Sequence, residues 1–279
     1  MTQTWQSQDY PAALKLGVRD KLRAAWRGSV LGVALCLGII ATLCIRLIEI
    51  PLFRSNRPWS GWITVFVCRA ALRLLSIKLC QDGAPTAQPA LVVANHSSWL
   101  DIFALNAGGP LYFVSKSEVA RWPGIGLLAR LTGTVFVRRE KREAGRQKTA
   151  LEQRLGAGHR LLFFPEGTST DNRQVLPFKP TLFAAVFSPT LYNEMYVQPV
   201  SVVYKAPDEL DDRFLAWWGD MELAPHLLRV LANCGTAQVH VIWHPPIKAS
   251  DYSDRKSLAR TAEKIVQGGH ARKIKPSRQ

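Results

Sequence analysis

Hydrophobic positions fall into two textures along this chain. Residues 30–45 pass without a single charge, and such a run predicts an apolar helix about 24 Å long, short of a hydrocarbon core of about 30 Å unless Arg46 and Glu49 are carried in at its far end. Residues 59–80 are also apolar but carry Arg69, Arg73 and Lys78 at spacings of four and five. That spacing predicts a second helix with a basic stripe turned toward lipid headgroups. Together the two runs predict an N-terminal two-helix membrane anchor that dips into one leaflet, with a single-span anchor as the alternative. The first run is followed by IRLIEIPLF and not by the small residues of a cleavage site, so it is not expected to be removed as a signal peptide.

After the turn-rich stretch DGAPTAQP the texture changes. Short apolar runs at 90–94, 111–114, 134–137, 161–164, 196–203 and 238–243 predict strands, and residues 99–106, 118–130 and 140–155 between them predict helices. Alternation of this kind predicts an α/β sheet flanked by helices. The expected organisation is a basic N-terminus with the anchor over 1–82, a catalytic domain over 83–265 and a basic, mobile tail over 266–279.

The chain has 279 residues, is 47% hydrophobic and carries 36 Lys and Arg against 21 Asp and Glu, a net charge of +15. A pI near 10.0 and a mean hydropathy of −0.02 exclude an acidic disordered chain and a polytopic membrane protein. The surface attracts anions: nucleic acid, anionic lipid or an acidic carrier protein. Nucleic acid is disfavoured, because the basic residues are spread over anchor, helix and tail with no aromatic stacking register. Cys36, Cys44, Cys68, Cys80 and Cys234 are an odd set without a CxxC pair, which points to a reducing compartment. His240 and His244 are four apart but lie on an alternating, strand-like run ending in Pro245-Pro246, so no metal site and no cofactor are expected.

Two polar clusters end apolar strands. In Asn95-His96-Ser97-Ser98-Trp99-Leu100-Asp101 a histidine in the loop can swing back onto an aspartate in the first helical turn, with Ser97 or Ser98 as N-cap. Asp101 then accepts from Nδ1–H of His96 and leaves Nε2 free as a base. In Phe163-Phe164-Pro165-Glu166-Gly167-Thr168 a carboxylate sits in a Pro–Gly turn whose N–H groups suit a polar acceptor or an oxyanion. No G-x-S-x-G elbow is present, which leaves the substrate itself as the proton donor.

NHSSWLD and FPEGT together resemble the paired signature of the bacterial 1-acyl-glycerol-3-phosphate acyltransferase family of lysolipid acyltransferases. Lys116 through Pro123, Gly126, Gly133 and Phe136-Val-Arg-Arg139 resemble the family's second block, and Val197-Gln-Pro-Val200 its fourth. The resemblance implies a membrane-bound α/β catalytic domain with His96 as general base and Asp101 as its orienter. It further implies Glu166, Gly167 and Thr168 in the acceptor site, and Arg139 and Lys116 holding headgroup or donor phosphate. Phosphatidate-forming members carry Arg directly after FPEGT, where this chain has Ser169, so either Arg173 supplies that charge or the acceptor lacks a phosphate. The run FPEGTSTDNRQVLPFK resembles the branch that acylates lyso-ornithine lipid.

The expected activity is lysolipid O-acylation, with acyl carrier protein or acyl-CoA as donor, lyso-ornithine lipid as the favoured acceptor and lysophosphatidate as the alternative. The expected location is the inner (cytoplasmic) membrane, with an anionic bilayer surface as partner and the catalytic domain facing the cytoplasm. A non-catalytic membrane adaptor on the same fold is the competing class. It predicts loss of His96, Asp101 or Glu166, and all three are present.

Overall fold

The protein is described here from a computed structural model covering residues 5–7, 10–11, 16–54, 56–122, 124–138, 144–189 and 191–274. Arg139, Pro123, Glu140 and the last five residues of the tail lie outside the described residues. The chain opens with α1 (Val18–Phe53), a helix of 36 residues. It is the one helix among the described residues long and apolar enough to cross a membrane, and only 11% of its most apolar stretch is buried.

The second expected helix is shorter than its pattern implied. α2 (Ser60–Leu74) has 15 residues, and Ser76, with φ +56, turns the chain into β1 (Ile77–Asp82). The expected two-helix anchor is therefore corrected to a single apolar helix with a partner packed on the α/β domain. Val65, Cys68, Ala71 and Leu72 of α2 are buried, and Arg69, expected on a stripe facing headgroups, is exposed and donates from Nε to Ala107 O at 2.8 Å. Lys78 belongs to β1, where only Ile77 is buried and Lys78 is exposed. The α1–α2 turn is fastened by Glu49, buried in α1, whose Oε1 accepts the Trp59 and Ser60 N–H groups at 2.7 and 2.8 Å. Those are donors that the start of α2 leaves without a partner in its own helix.

The sheet adds β2 (Ala90–Ala94), β3 (Tyr112–Lys116), β4 (Val135–Val137), β5 (Leu161–Phe163), β6 (Tyr196–Lys205), β7 (Ala237–Trp243) and the short β8 (Ile247–Lys248). Its order is β1-β7-β6-β2-β5-β3-β4, with β8 pairing on β6. All neighbours from β6 through β2, β5 and β3 to β4 are parallel, whereas β7 runs antiparallel to β6. α3 (Asp101–Asn106), α4 (Ile125–Leu131), α5 (Ala144–Gly156), α6 (Leu223–Ala232) and α7 (Arg255–Lys273) cover the faces.

One core layer packs α2, α3 and α6 with the foot of α1 against the sheet, and a second lies under α5 and α7. β2 is buried at every position, as expected of a strand covered on both faces. The helix expected over 118–130 is divided into a 3-10 turn, Ser117–Arg121, and α4, with Gly124 at φ +71 before α4. A Cβ on Gly126 would run into Ala120 O, so only glycine lets α4 lie back on that turn.

Two expected boundaries also move. β1 lies within the segment 1–82 expected to be the anchor, yet it pairs with β7 and belongs to the main sheet. The tail expected from 266 is helical through Lys273, with Val266, Gly269 and His270 buried. Asp254 caps this α7 by accepting from the Lys256 and Ser257 N–H groups.

Candidate active site

Parallel pairing decides where the chemistry gathers. Because β2, β5, β3 and β4 all run the same way, the residues that follow their C-terminal ends, His96, Glu166, Lys116 and Arg138, come to one edge of the sheet.

His96 Nδ1 lies 2.7 Å from Asp101 Oδ2. The same oxygen accepts the Ser97 and Ser98 N–H groups at 2.9 and 3.2 Å, and Asp101 Oδ1 accepts the Tyr204 hydroxyl at 2.7 Å. Asp101 is fully buried, so its charge is held by these four donors and not by water. Burial, reinforced by Asp101, pushes the Tyr204 phenol well above its ordinary range, which keeps it a donor. The serines are not the expected side-chain cap of α3: Leu100 occupies the N-cap position, and Ser98 Oγ donates to Leu215 O at 2.6 Å.

The loop carrying His96 is clamped from β5. Glu166 is 1% exposed, its Oε1 accepting the His96 N–H at 2.6 Å and its Oε2 the Leu176 N–H at 2.7 Å. Thr170 N–H closes the clamp on His96 O at 2.9 Å. Burial pushes the Glu166 carboxyl up to about 8, against the lowering effect of its two N–H donors and with help from Asp101 and Glu263. Gly167, at φ +74, directs its N–H to Phe164 O at 3.1 Å, so that N–H closes the turn and is not the open donor expected. Thr168 Oγ1 accepts from Trp5 N–H at 3.3 Å.

The remaining expected residues are more dispersed. Lys116 is exposed at the end of β3, and Arg139 lies outside the described residues. Arg173 forms a two-pronged surface pair with Asp212, Nε to Oδ2 at 3.2 Å and Nη2 to Oδ1 at 2.7 Å. Ser169 is buried, at 7% exposure.

The His96 ring stacks on Phe164, centroids 4.0 Å apart and planes 13° from parallel. His96 lines an apolar cleft of about 270 Å³ that runs between α1, α2, α3 and α4, together with residues such as Ile39, Val67, Trp99, Phe103, Phe113 and Trp217. Nε2 has no protein partner among the described residues. An imidazole tethered at Nδ1 and free at Nε2 is arranged as a general base, and the cleft beside it accommodates an alkyl chain.

Residues 78–203, which contain His96, Asp101 and Glu166, match the family model described as Acyltransferase. A lyso-ornithine lipid O-acyltransferase of Rhodobacter capsulatus is 48% identical over 265 residues, 95% of this chain and 96% of that protein. This chain belongs to the bacterial lysolipid acyltransferase family. It is a lysolipid O-acyltransferase, which transfers an acyl group to a lysolipid hydroxyl. A second relative in the family, the lyso-ornithine lipid O-acyltransferase of Brucella abortus, is 34% identical over 84% of this chain and 93% of its own length. The fold is that of the crystal structure of the 1-acyl-sn-glycerophosphate acyltransferase PlsC from Thermotoga maritima, with a TM-score of 0.63 at 21% identity over 93% of this chain and all of that one.

Three contributors to this acyltransferase site were not anticipated from sequence. Tyr204 is one more aromatic in a strand, and only the parallel register of β6 with β2 brings it to Asp101. Leu176 acts through its backbone, and Trp217 enters by donating its N–H to Ser97 O at 2.8 Å from a distant loop. Neither kind of contact leaves a mark in residue type.

Proposed function

We propose that His96 Nε2 removes the proton from a lysolipid hydroxyl, whose oxygen attacks the carbonyl carbon of an acyl thioester. The tetrahedral intermediate expels the thiolate, which takes the proton back from His96, leaving an ester and a free thiol. Asp101 holds the tautomer and offsets the imidazolium as it forms. The observation that carries this reading is His96, tied to Asp101 at 2.7 Å, unpartnered at Nε2 among the described residues, and lining the apolar cleft. The cleft takes the acyl chain. Glu166 positions the His96 loop instead of touching the acceptor, since both its oxygens are occupied by backbone N–H groups.

The proposed acceptor is lyso-ornithine lipid, supported by the name of the relative that is 48% identical over 95% of this chain. The residue after FPEGT supports it too, for buried Ser169 offers no guanidinium to a phosphate, and Arg173 is already offset by Asp212. Acyl carrier protein or acyl-CoA is the donor, its phosphate met by Lys116 and Arg139. α1 anchors the enzyme in the inner membrane with the catalytic domain toward the cytoplasm, and the net charge of +15 draws it to an anionic surface.

The test offers purified enzyme a labelled acyl carrier thioester with lyso-ornithine lipid and lysophosphatidate side by side. Higher kcat/KM for lyso-ornithine lipid supports the acceptor, and preference for lysophosphatidate overturns it in favour of phosphatidate synthesis.

A further inference from the structure

The sheet edge opposite His96 carries a separate group of cations. Tyr112 opens β3 there, Gly133 precedes β4 and His159 precedes β5. Arg154 from α5 lies over the Tyr112 ring at 4.8 Å, and Arg57 from the α1–α2 turn lies 5.8 Å from the same ring. Both converge on Gly133: Arg154 Nη2 donates to its carbonyl at 3.2 Å, and Arg57 Nη1 stands 2.9 Å from where a Cβ would be.

A guanidinium has five N–H donors. Arg57 spends one, on Leu131 O at 3.0 Å, and Arg154 spends a second besides Gly133, on His159 Nδ1 at 2.6 Å. No carboxylate among the described residues pairs with either. The one acid that acts on Arg57, Glu49, is committed to Arg46, Trp59 and Ser60. Burial lowers the pKa of both arginines, repulsion by Arg46 lowers both further, and Arg57 lowers that of Arg154.

We propose that Arg57 and Arg154, seated on Tyr112, bind the phosphate of an anionic membrane lipid headgroup. Two planar forks with spare donors match the oxygens of a phosphate, and an anion there relieves a repulsion that the protein leaves unpaired. A lipid is the occupant because the adjoining turn exposes large apolar side chains: Leu52 at 64%, Phe53 at 39%, Trp59 at 46% and Trp62 at 56%. Apolar groups beside a cation pair suit the boundary between headgroups and acyl chains, and do not suit a site for a free ion in water. The site lies apart from His96 and is independent of the acceptor proposed above.

The experiment uses the full-length enzyme in neutral detergent, with binding as the readout. Flotation with vesicles of phosphatidylcholine alone and with phosphatidylglycerol added is measured for wild type, Arg57→Gln, Arg154→Gln and, as a charge-matched control, exposed Arg260→Gln. The expected result is that the first two variants bind phosphatidylglycerol vesicles about tenfold more weakly, while binding to phosphatidylcholine and the control variant are unchanged. Equal affinity of all four proteins for phosphatidylglycerol overturns the proposal. So does a rise in melting temperature with inorganic phosphate at matched ionic strength that both variants lose while their vesicle binding stays intact, an outcome that assigns the site to a soluble phosphate. Should Arg57→Gln fail to fold, Arg154→Lys keeps the charge without the fork. Weakening by several-fold then supports the site, and wild-type affinity overturns it.

Discussion

Replacing Glu166 by Gln tests whether the second sequence motif binds substrate or builds the loop that presents the base. The carboxyl accepts two backbone N–H groups, at 2.6 and 2.7 Å, while 1% exposed. Gln offers one oxygen, so one N–H of His96 or Leu176 faces an amide that can only donate. Orphaning a buried N–H costs about 1–3 kcal/mol, and the loop carrying His96 loosens by a similar free energy. The sign of the pH effect follows from the raised carboxyl. In the unfolded chain this group titrates near 4.5, whereas in the fold burial takes it up to about 8. Between these values the folded protein holds a proton that the unfolded chain has released. Its contribution to stability is full below about 4.5 and is lost as pH rises through 8, a change on the order of a few kcal/mol. Urea unfolding from pH 5 to 9 is the first assay, and Glu166→Gln should flatten the decline seen in wild type. Initial-rate kinetics is the second: if Glu166 acts as proposed, by holding the His96 loop, kcat should fall at least tenfold with KM within about twofold. A variant with normal kcat and a raised KM, or with the wild-type pH slope intact, would refute the clamp.

His96→Ala should abolish acyl transfer while vesicle binding persists, and Asp101→Asn should be severely impaired but measurably active in the same thioester assay. Tyr204→Phe leaves Asp101 Oδ1 without its donor at 2.7 Å; kcat should fall about tenfold at constant KM, and an unchanged kcat would make the phenol incidental. Arg173→Ala should leave turnover of lyso-ornithine lipid within about twofold, because that guanidinium is paired with Asp212 on the surface. Selective loss of lysophosphatidate turnover in this variant would identify Arg173 as a phosphate clamp. Ser169→Arg puts a long cation where 7% exposure leaves no room, so a drop in melting temperature of several degrees should precede any change of acceptor preference.

Six strands were legible because each is an apolar run between turn residues, and buried parallel strands have no reason to alternate. The His96–Asp101 pair was legible because both partners sit within one loop and one helical turn. β1 was misread as helix: after an apolar helix its Lys78 fits a helical stripe as well as a strand face, and only its pairing with β7 decides. α6 and α7 passed unnoticed. α7 is polar over most of its length and becomes a helix by packing the small residues Ala259, Ala262 and Gly269 against the sheet. Glu166 was legible as a position at a strand end, whereas its contacts to the His96 and Leu176 N–H groups were not, since a carboxylate that clamps backbone and one that binds substrate are spelled alike.

The sheet order has a consequence for synthesis. β1 is an edge strand whose neighbour is β7, and Ile77 finds Ala237 only after the intervening chain has been made. During translation the strand leaves the ribosome long before its partner, with α1 already available to a bilayer. Until residues 237–243 emerge, β1 exposes its backbone donors and acceptors, the kind of edge on which nascent chains aggregate. A ribosome arrested after residue 166 and before β7 should thus release a chain that already carries His96, Asp101 and Glu166 and still has an unsealed border.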